Sequence, residues 1–153
     1  MKFSTRQDTD LPADALFRAV GNFPCIERML VRRGATVRRQ DAMAEPGVGM
    51  GWQIGFDWRG RRREFDLAVT GYAPPEVIAL EGVSDQFNLS IRMTVVALTR
   101  SKSRLIFETD VQPRGMKARL LLQTAKLGKS QLDRKFAERI ADFVTRMSAE
   151  VPA

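Results

Sequence analysis

The sequence predicts an α+β fold in which a curved antiparallel sheet lays its apolar face against one long C-terminal helix. Three observations carry that prediction. Apolar residues recur with a period of two from Ala35 to Pro113, the spacing of half-buried strands. The period becomes helical from Met116 to about Met147, where Leu121, Ala125, Leu132, Phe136, Ile140, Phe143 and Met147 share one broad face. Within the strand region, Arg59-Gly60 joins two stretches whose residues match pairwise across the turn. Each strand has one apolar face, so the sheet has one dry side. The final helix is the only element large enough to cover it, since roughly 30 helical residues reach ~45 Å.

The elements come in order along the chain. Lys2 to Thr9 alternates weakly and reads as a first strand. Pro12 suits the first turn of a helix, where its missing N–H costs nothing. Leu16, Phe17 and Val20 supply the apolar face of that helix, which ends near Gly21. Pro24 opens a second short helix carrying Ile26, Met29 and Leu30, with Gly34 as its stop. Thr36 to Ala42 is a modest strand, and Glu45-Pro46-Gly47-Val48-Gly49 is a turn. Met50, Trp52, Ile54, Phe56 and Trp58 then alternate with small or polar residues, the cleanest strand pattern in the chain.

A two-residue turn at Arg59-Gly60 fixes the register of the hairpin it closes. It sets Trp58 opposite Arg61, Phe56 opposite Arg63, Ile54 opposite Phe65 and Trp52 opposite Leu67, with Asp57 opposite Arg62 on the other face. A slip of one residue would destroy both the apolar and the charged matches. Ala73-Pro74-Pro75 interrupts pairing. Val77 to Val83, then Phe87, Leu89, Ile91, Met93 and Val95, then Leu105, Phe107, Thr109 and Val111 form the remaining strands, closed by Pro113. Tyr72 falls on the outer alternation.

Composition narrows the function classes. The 153 residues suit one domain spanning residues 1–153. Cys25 is the only cysteine, so an internal disulfide and a cysteine zinc site are excluded, and a reducing, cytoplasmic setting is expected. The N-terminal segment lacks a signal-peptide apolar core, and no stretch approaches the ~20 apolar residues that span a bilayer. The chain has no histidine, which removes Ser-His-Asp and Cys-His catalysis and the usual zinc sites. No metal and no cofactor is expected. Lys and Arg number 25 against 18 Asp and Glu, a net charge of +7 that attracts anions. Nucleic acid or an anionic membrane is therefore a possible partner, although the charges are spread along the chain.

The Leu11-Pro12-Ala13-Asp14-Ala15-Leu16-Phe17 opening of the first helix, the Trp58-Arg59-Gly60-Arg61 hairpin, the Tyr72-Ala73-Pro74-Pro75 turn and the long final helix together resemble the START-like, helix-grip superfamily, also called SRPBCC or polyketide cyclase/dehydratase-like. The resemblance covers nearly the whole chain. It implies a sheet gripping the last helix around a cavity that holds a lipid, quinone, polyketide or other apolar molecule. Some members of the superfamily catalyse cyclisation or dehydration, and many do no chemistry.

The inner-face residues Trp52, Ile54, Phe56, Phe65, Leu67, Phe87, Leu89, Ile91, Met93 and Phe107 are the expected lining of such a cavity, or else a close-packed core. On the final helix, Leu121, Ala125, Gly128 and Leu132 complete the set, because small residues at Ala125 and Gly128 leave room in the middle. Arg63 falls inside beside Phe56, where a guanidinium can hold a carboxylate, or else reaches water at the hairpin tip. Thr109 offers an inward hydroxyl. Glu81 is exposed if Ile78 and Leu80 face inward, and is a buried acid if Val77, Ala79 and Val83 do.

These residues leave three functions. The first is binding of an apolar small molecule between sheet and helix, with no catalytic residue assigned. The second is a cyclase- or dehydratase-type enzyme using Arg63 or Glu81. The third is a basic protein meeting nucleic acid, ribosome or anionic membrane, for which the run Arg59-Gly60-Arg61-Arg62-Arg63 is a candidate phosphate contact.

Overall fold

In the computed structural model, which describes residues 1–150, the chain runs β1 (Lys2–Thr9), α1 (Ala13–Val20), α2 (Phe23–Arg32), β2 (Thr36–Arg39), β3 (Gly51–Trp58), β4 (Arg61–Ala73), β5 (Val77–Val83), β6 (Phe87–Ala97), β7 (Ser103–Pro113), α3 (Met116–Lys126) and α4 (Lys129–Ala149). The strands form one seven-stranded sheet in the order β1-β7-β6-β5-β4-β3-β2, with every neighbouring pair antiparallel. β1 and β2 lie at opposite edges. The segment joining them must therefore cross the full width of the sheet, and it does so as α1 and α2.

The β3–β4 hairpin has the expected register throughout, from Trp58 opposite Arg61 to Trp52 opposite Leu67. Arg59 and Gly60 take φ of 53° and 74°. Two successive left-handed residues give the turn whose twist suits a two-residue hairpin. On the outer face Arg62 crosses over Gly55 to donate to the Thr36 hydroxyl. A Cβ at Gly55 would sit 2.6 Å from the Arg62 Nη2, so a side chain there would push the arginine off β2.

β4 departs from simple alternation. Its pairing with β5 shifts between Val69 and Gly71. The extra residue, Thr70, reverses the phase of the rest of the strand. Tyr72, expected on the outer face, consequently faces inward opposite Ile78, with its ring 5.6 Å from that of Phe17.

The core lies between the sheet and α1, α2 and α4. Leu16, Val20, Ile78 and Leu105 are wholly excluded from solvent, and Val69 nearly so. Ser103, at the start of β7, is the one fully buried polar residue among the described residues, and its hydroxyl donates to the Leu11 carbonyl at 2.7 Å, tying the start of α1 to β7. Proline and asparagine set the helix starts. Pro12 occupies the position just before α1, and the Asn22 Oδ1 accepts from the Cys25 N–H at 3.3 Å at the start of α2.

The expected single C-terminal helix is two. α3 ends at Lys126, and Leu127 and Gly128 form a turn in which the Gly128 N–H donates to the Ala125 carbonyl at 3.0 Å. The Gly128 carbonyl then accepts from Gln131 and Leu132 to start α4. Of the two, α4 packs more closely on the sheet, against β1 and β7. Phe136 packs against Phe3 at a tilt and meets Phe107 edge to face, with centroids 5.5 and 5.8 Å apart. Gln7 Nε2 reaches the Ala137 carbonyl at 3.4 Å. The modest strand read over Thr36 to Ala42 is shorter, ending at Arg39, because Asp41 is recruited to a turn.

Asp41 is the electrostatic clasp of that turn. It accepts from Arg39 Nε at 3.0 Å and Nη2 at 2.6 Å, and from the backbone N–H of Gly51 at 2.8 Å and Met43 at 2.9 Å. The Arg39 guanidinium, aided by the Gly51 N–H, holds the carboxyl well below the usual carboxylate range. A carboxylate depressed in the folded state adds stability above its unfolded pKa of about 4, and that stability is lost as pH falls toward the folded value. An Asp41→Asn variant should be less stable than the parent at neutral pH. The gap should narrow progressively as pH falls below about 4, read as the difference in denaturation midpoints. A gap that is constant with pH would show that the Asp41 charge does not hold the turn.

Candidate functional site

The sheet and its helices do not close completely. A cavity of about 250 Å³ remains between them. Five strands supply its floor through their inward alternation: Trp52 and Ile54 from β3, Leu67 from β4, Leu80 from β5, Ile91 and Met93 from β6 and Phe107 from β7. Val37 of β2 closes one edge. α2 forms the roof with Phe23, Ile26, Met29 and Leu30, spaced along one helical face, and α4 adds Ile140 and Phe143.

Burial falls along the inner face. On β3, Trp52 and Ile54 are buried, whereas Phe56 is 37% and Trp58 49% exposed. On β6, Met93 and Val95 are buried and Ile91, Leu89 and Phe87 only half so. The helices thus cover one half of the sheet and leave the hairpin end open. A more open hollow there, walled by Phe56, Phe65, Ala35 and Gly34, shares Leu30, Arg33 and Ile54 with the cavity.

Glu27, Arg33 and Arg139 are the charged residues on the cavity wall. Glu27 is already engaged. Its Oε1 accepts from the Trp52 indole N–H at 2.6 Å and lies 3.8 Å from Arg39 Nη1. The Arg39 guanidinium also stands 5.8 Å from the Trp52 ring centre, which fixes the indole between the two. Among the described residues, no carboxylate lies within 4.0 Å of the Arg33 or Arg139 guanidinium. Both arginines are exposed, so two solvated cations without an ion-pair partner stand at the rim of an apolar space. No group of three His, Cys, Asp or Glu residues is placed to hold a metal among the described residues.

The structure sorts the residues singled out by sequence. Trp52, Ile54, Leu67, Ile91, Met93 and Phe107 meet around the cavity, and Phe56 and Phe65 line the adjoining hollow. Phe87 and Leu89 share the inner face of β6 but lie beyond both spaces. The Thr109 hydroxyl is turned back into the sheet, donating to the Ser90 carbonyl at 2.8 Å. Leu121, Ala125, Gly128 and Leu132 do not reach the cavity, because the helix breaks at Gly128 and the covering residues come from the later half of α4. A Cβ on Gly128 would meet nothing closer than 4.0 Å, so the glycine marks the break rather than making room.

Neither candidate acid–base residue lines the cavity. Glu81 is exposed on the outer face, since Ile78 and Leu80 point inward. Arg63 is half-buried at the hairpin, its guanidinium carbon 5.7 Å from the Trp58 ring and its Nε without a partner. The sequence reading missed the contribution of α2, above all Glu27 and Arg33, and of Arg139. The helical spacing of Ile26, Met29 and Leu30 was visible, but not that this face would roof the sheet.

No family model matches the chain. None of the curated proteins is significantly similar to it in sequence. Similarity to solved structures is extensive in shape. The chain superposes on TTHA0849 from Thermus thermophilus with a TM-score of 0.70 at 10% identity, covering 99% of this chain and 100% of that one. Norcoclaurine synthase from Thalictrum flavum, in complex with dopamine and hydroxybenzaldehyde, matches with a TM-score of 0.67 at 11% identity, covering 100% and 88%. The Zhui aromatase/cyclase from Streptomyces sp. R1128 matches with a TM-score of 0.64 at 14% identity, covering 100% and 96%. The shared architecture is the helix-grip fold, an antiparallel sheet packed against a long C-terminal helix.

Proposed function

Starting from that helix-grip fold, we propose that the chain binds an apolar small molecule in the space between the sheet, α2 and α4, without transforming it. The cavity carries the reading. It is roofed and floored by hydrophobic side chains, and apolar walls with few polar groups are the general form of a small-molecule site. Its 250 Å³ exceeds the ~150 Å³ that accommodates a benzene ring, and suits a body of roughly two rings or a short branched chain. Arg33 and Arg139 give the ligand an acidic or strongly hydrogen-bond-accepting end, because a charge-assisted bond there meets cations with no internal partner. A cyclase- or dehydratase-type reaction receives less support: Arg63 and Glu81 lie outside the space, and Glu27 is held by Trp52 and Arg39.

Fluorescence tests the reading directly. The chain has two tryptophans, so Trp58→Phe leaves Trp52 in the cavity wall as the sole indole. Naphthoic acid should change its emission saturably, and naphthalene-methanol should bind about tenfold more weakly, the size expected for one charge-assisted hydrogen bond. Arg139→Gln should shrink that difference. Failure of both probes to bind, together with native mass spectra showing only bare protein from fresh preparations, would sink the proposal.

A further inference from the structure

α3 presents an apolar stripe to solvent. Ala118 is buried and Leu122 and Ala125 are half-buried, so these three define the side that faces the rest of the fold. Met116, Leu120 and the capping residue Leu127, whose backbone is still helical at φ -64° and ψ -27°, lie on the opposite side, within about 40° of arc at ~3.6 residues per turn. They are 69%, 56% and 90% exposed. Helices of globular proteins turn such residues inward, and a grouped apolar surface marks something that covers it.

The charge around the stripe is of one sign. Residues 111–132 contain Arg114, Lys117, Arg119, Lys126 and Lys129 and no Asp or Glu. Lys129 pairs with Asp133 and Arg114 donates to the Ser84 carbonyl. Lys117, Arg119 and Lys126 are exposed and make no ion pair among the described residues. They flank the stripe: Lys117 on one side, Arg119 and Lys126 on the other.

We infer that α3 is a docking surface for an anionic lipid bilayer, lying flat with Met116, Leu120 and Leu127 in the acyl boundary and the three cations at the phosphates. An interfacial basic helix combines these two features. A nucleic acid or a second copy of the chain satisfies only one of them. A nucleic acid would pair the cations and leave the leucines in water, and there is no aromatic platform on α3 for bases to stack on. A second copy would cover the leucines but bring three cations against three. α3 has 11 residues and lies on a surface rather than spanning it; no helix among the described residues is long and apolar enough to cross a membrane. Attachment through so short a surface is weak and reversible, since each surface cation contributes only ~1 kcal/mol. This surface is separate from the cavity, and the inference stands whether or not the cavity is filled.

The test is sedimentation of the full chain with vesicles. Phosphatidylcholine containing phosphatidylglycerol should carry the protein down, pure phosphatidylcholine should not, and added salt should release it. Lys117→Gln/Arg119→Gln/Lys126→Gln should weaken binding about a hundredfold, and Leu120→Gln/Leu127→Gln about tenfold or more. All five side chains are exposed, so melting curves of both variants should match the parent. Three results would overturn the inference: equal binding to neutral vesicles or none to anionic ones; undiminished binding by the leucine variant; or a dimer in light scattering that the leucine variant dissolves.

Discussion

Leu16→Ala should cost about 2–5 kcal/mol of unfolding free energy, among the largest losses a single side chain in this protein can produce. Leu16 sits on α1 with no solvent exposure, in one packed cluster with Val20, Val69, Ile78 and Leu105. The cost has two parts: the removed methyl groups no longer leave water on folding, and the rigid sheet behind them cannot collapse into the gap. Urea denaturation followed by circular dichroism measures it. Leu120→Ala on exposed α3 provides the contrast, and its effect should stay within about 0.5 kcal/mol. A Leu16→Ala midpoint close to the parent's would mean that α1 is not locked against β6 and β7 as the packing requires.

Ile91→Trp should do the opposite: preserve the fold and abolish binding. Ile91 is a half-buried residue in the cavity wall on β6. An enlarged side chain usually costs stability because it enters a filled core. Here it enters a void, so the melting temperature should hold or rise while the affinity for an aromatic carboxylate falls by at least about tenfold. Titration calorimetry reads the affinity without relying on tryptophan emission. Loss of stability with unchanged binding would place the ligand elsewhere and the indole in a packed region.

The chain's own residues determined most of the architecture. Alternation in Met50 to Trp58 named an inner face because side chains in a strand point to opposite sides in turn, a property of the backbone alone. The Arg59-Gly60 turn carried the register with it, since two left-handed residues leave one way to pair the flanking strands. These are local constraints, and local patterns reveal them. Tertiary structure decided the rest. Thr70 is no different from any strand threonine, yet the bulge there turned Tyr72 inward to meet Phe17. The helical period runs through Gly128 unchanged, but α3 and α4 pack on different surroundings and the chain breaks between them. The cavity has the same cause: β1 and β2 occupy opposite edges, so α2 is drawn across the sheet and brings Glu27 and Arg33 to a wall that the sequence pattern had assigned to Leu121 and Ala125. Periodicity states that a face is apolar; only the arrangement of all the elements states what that face meets.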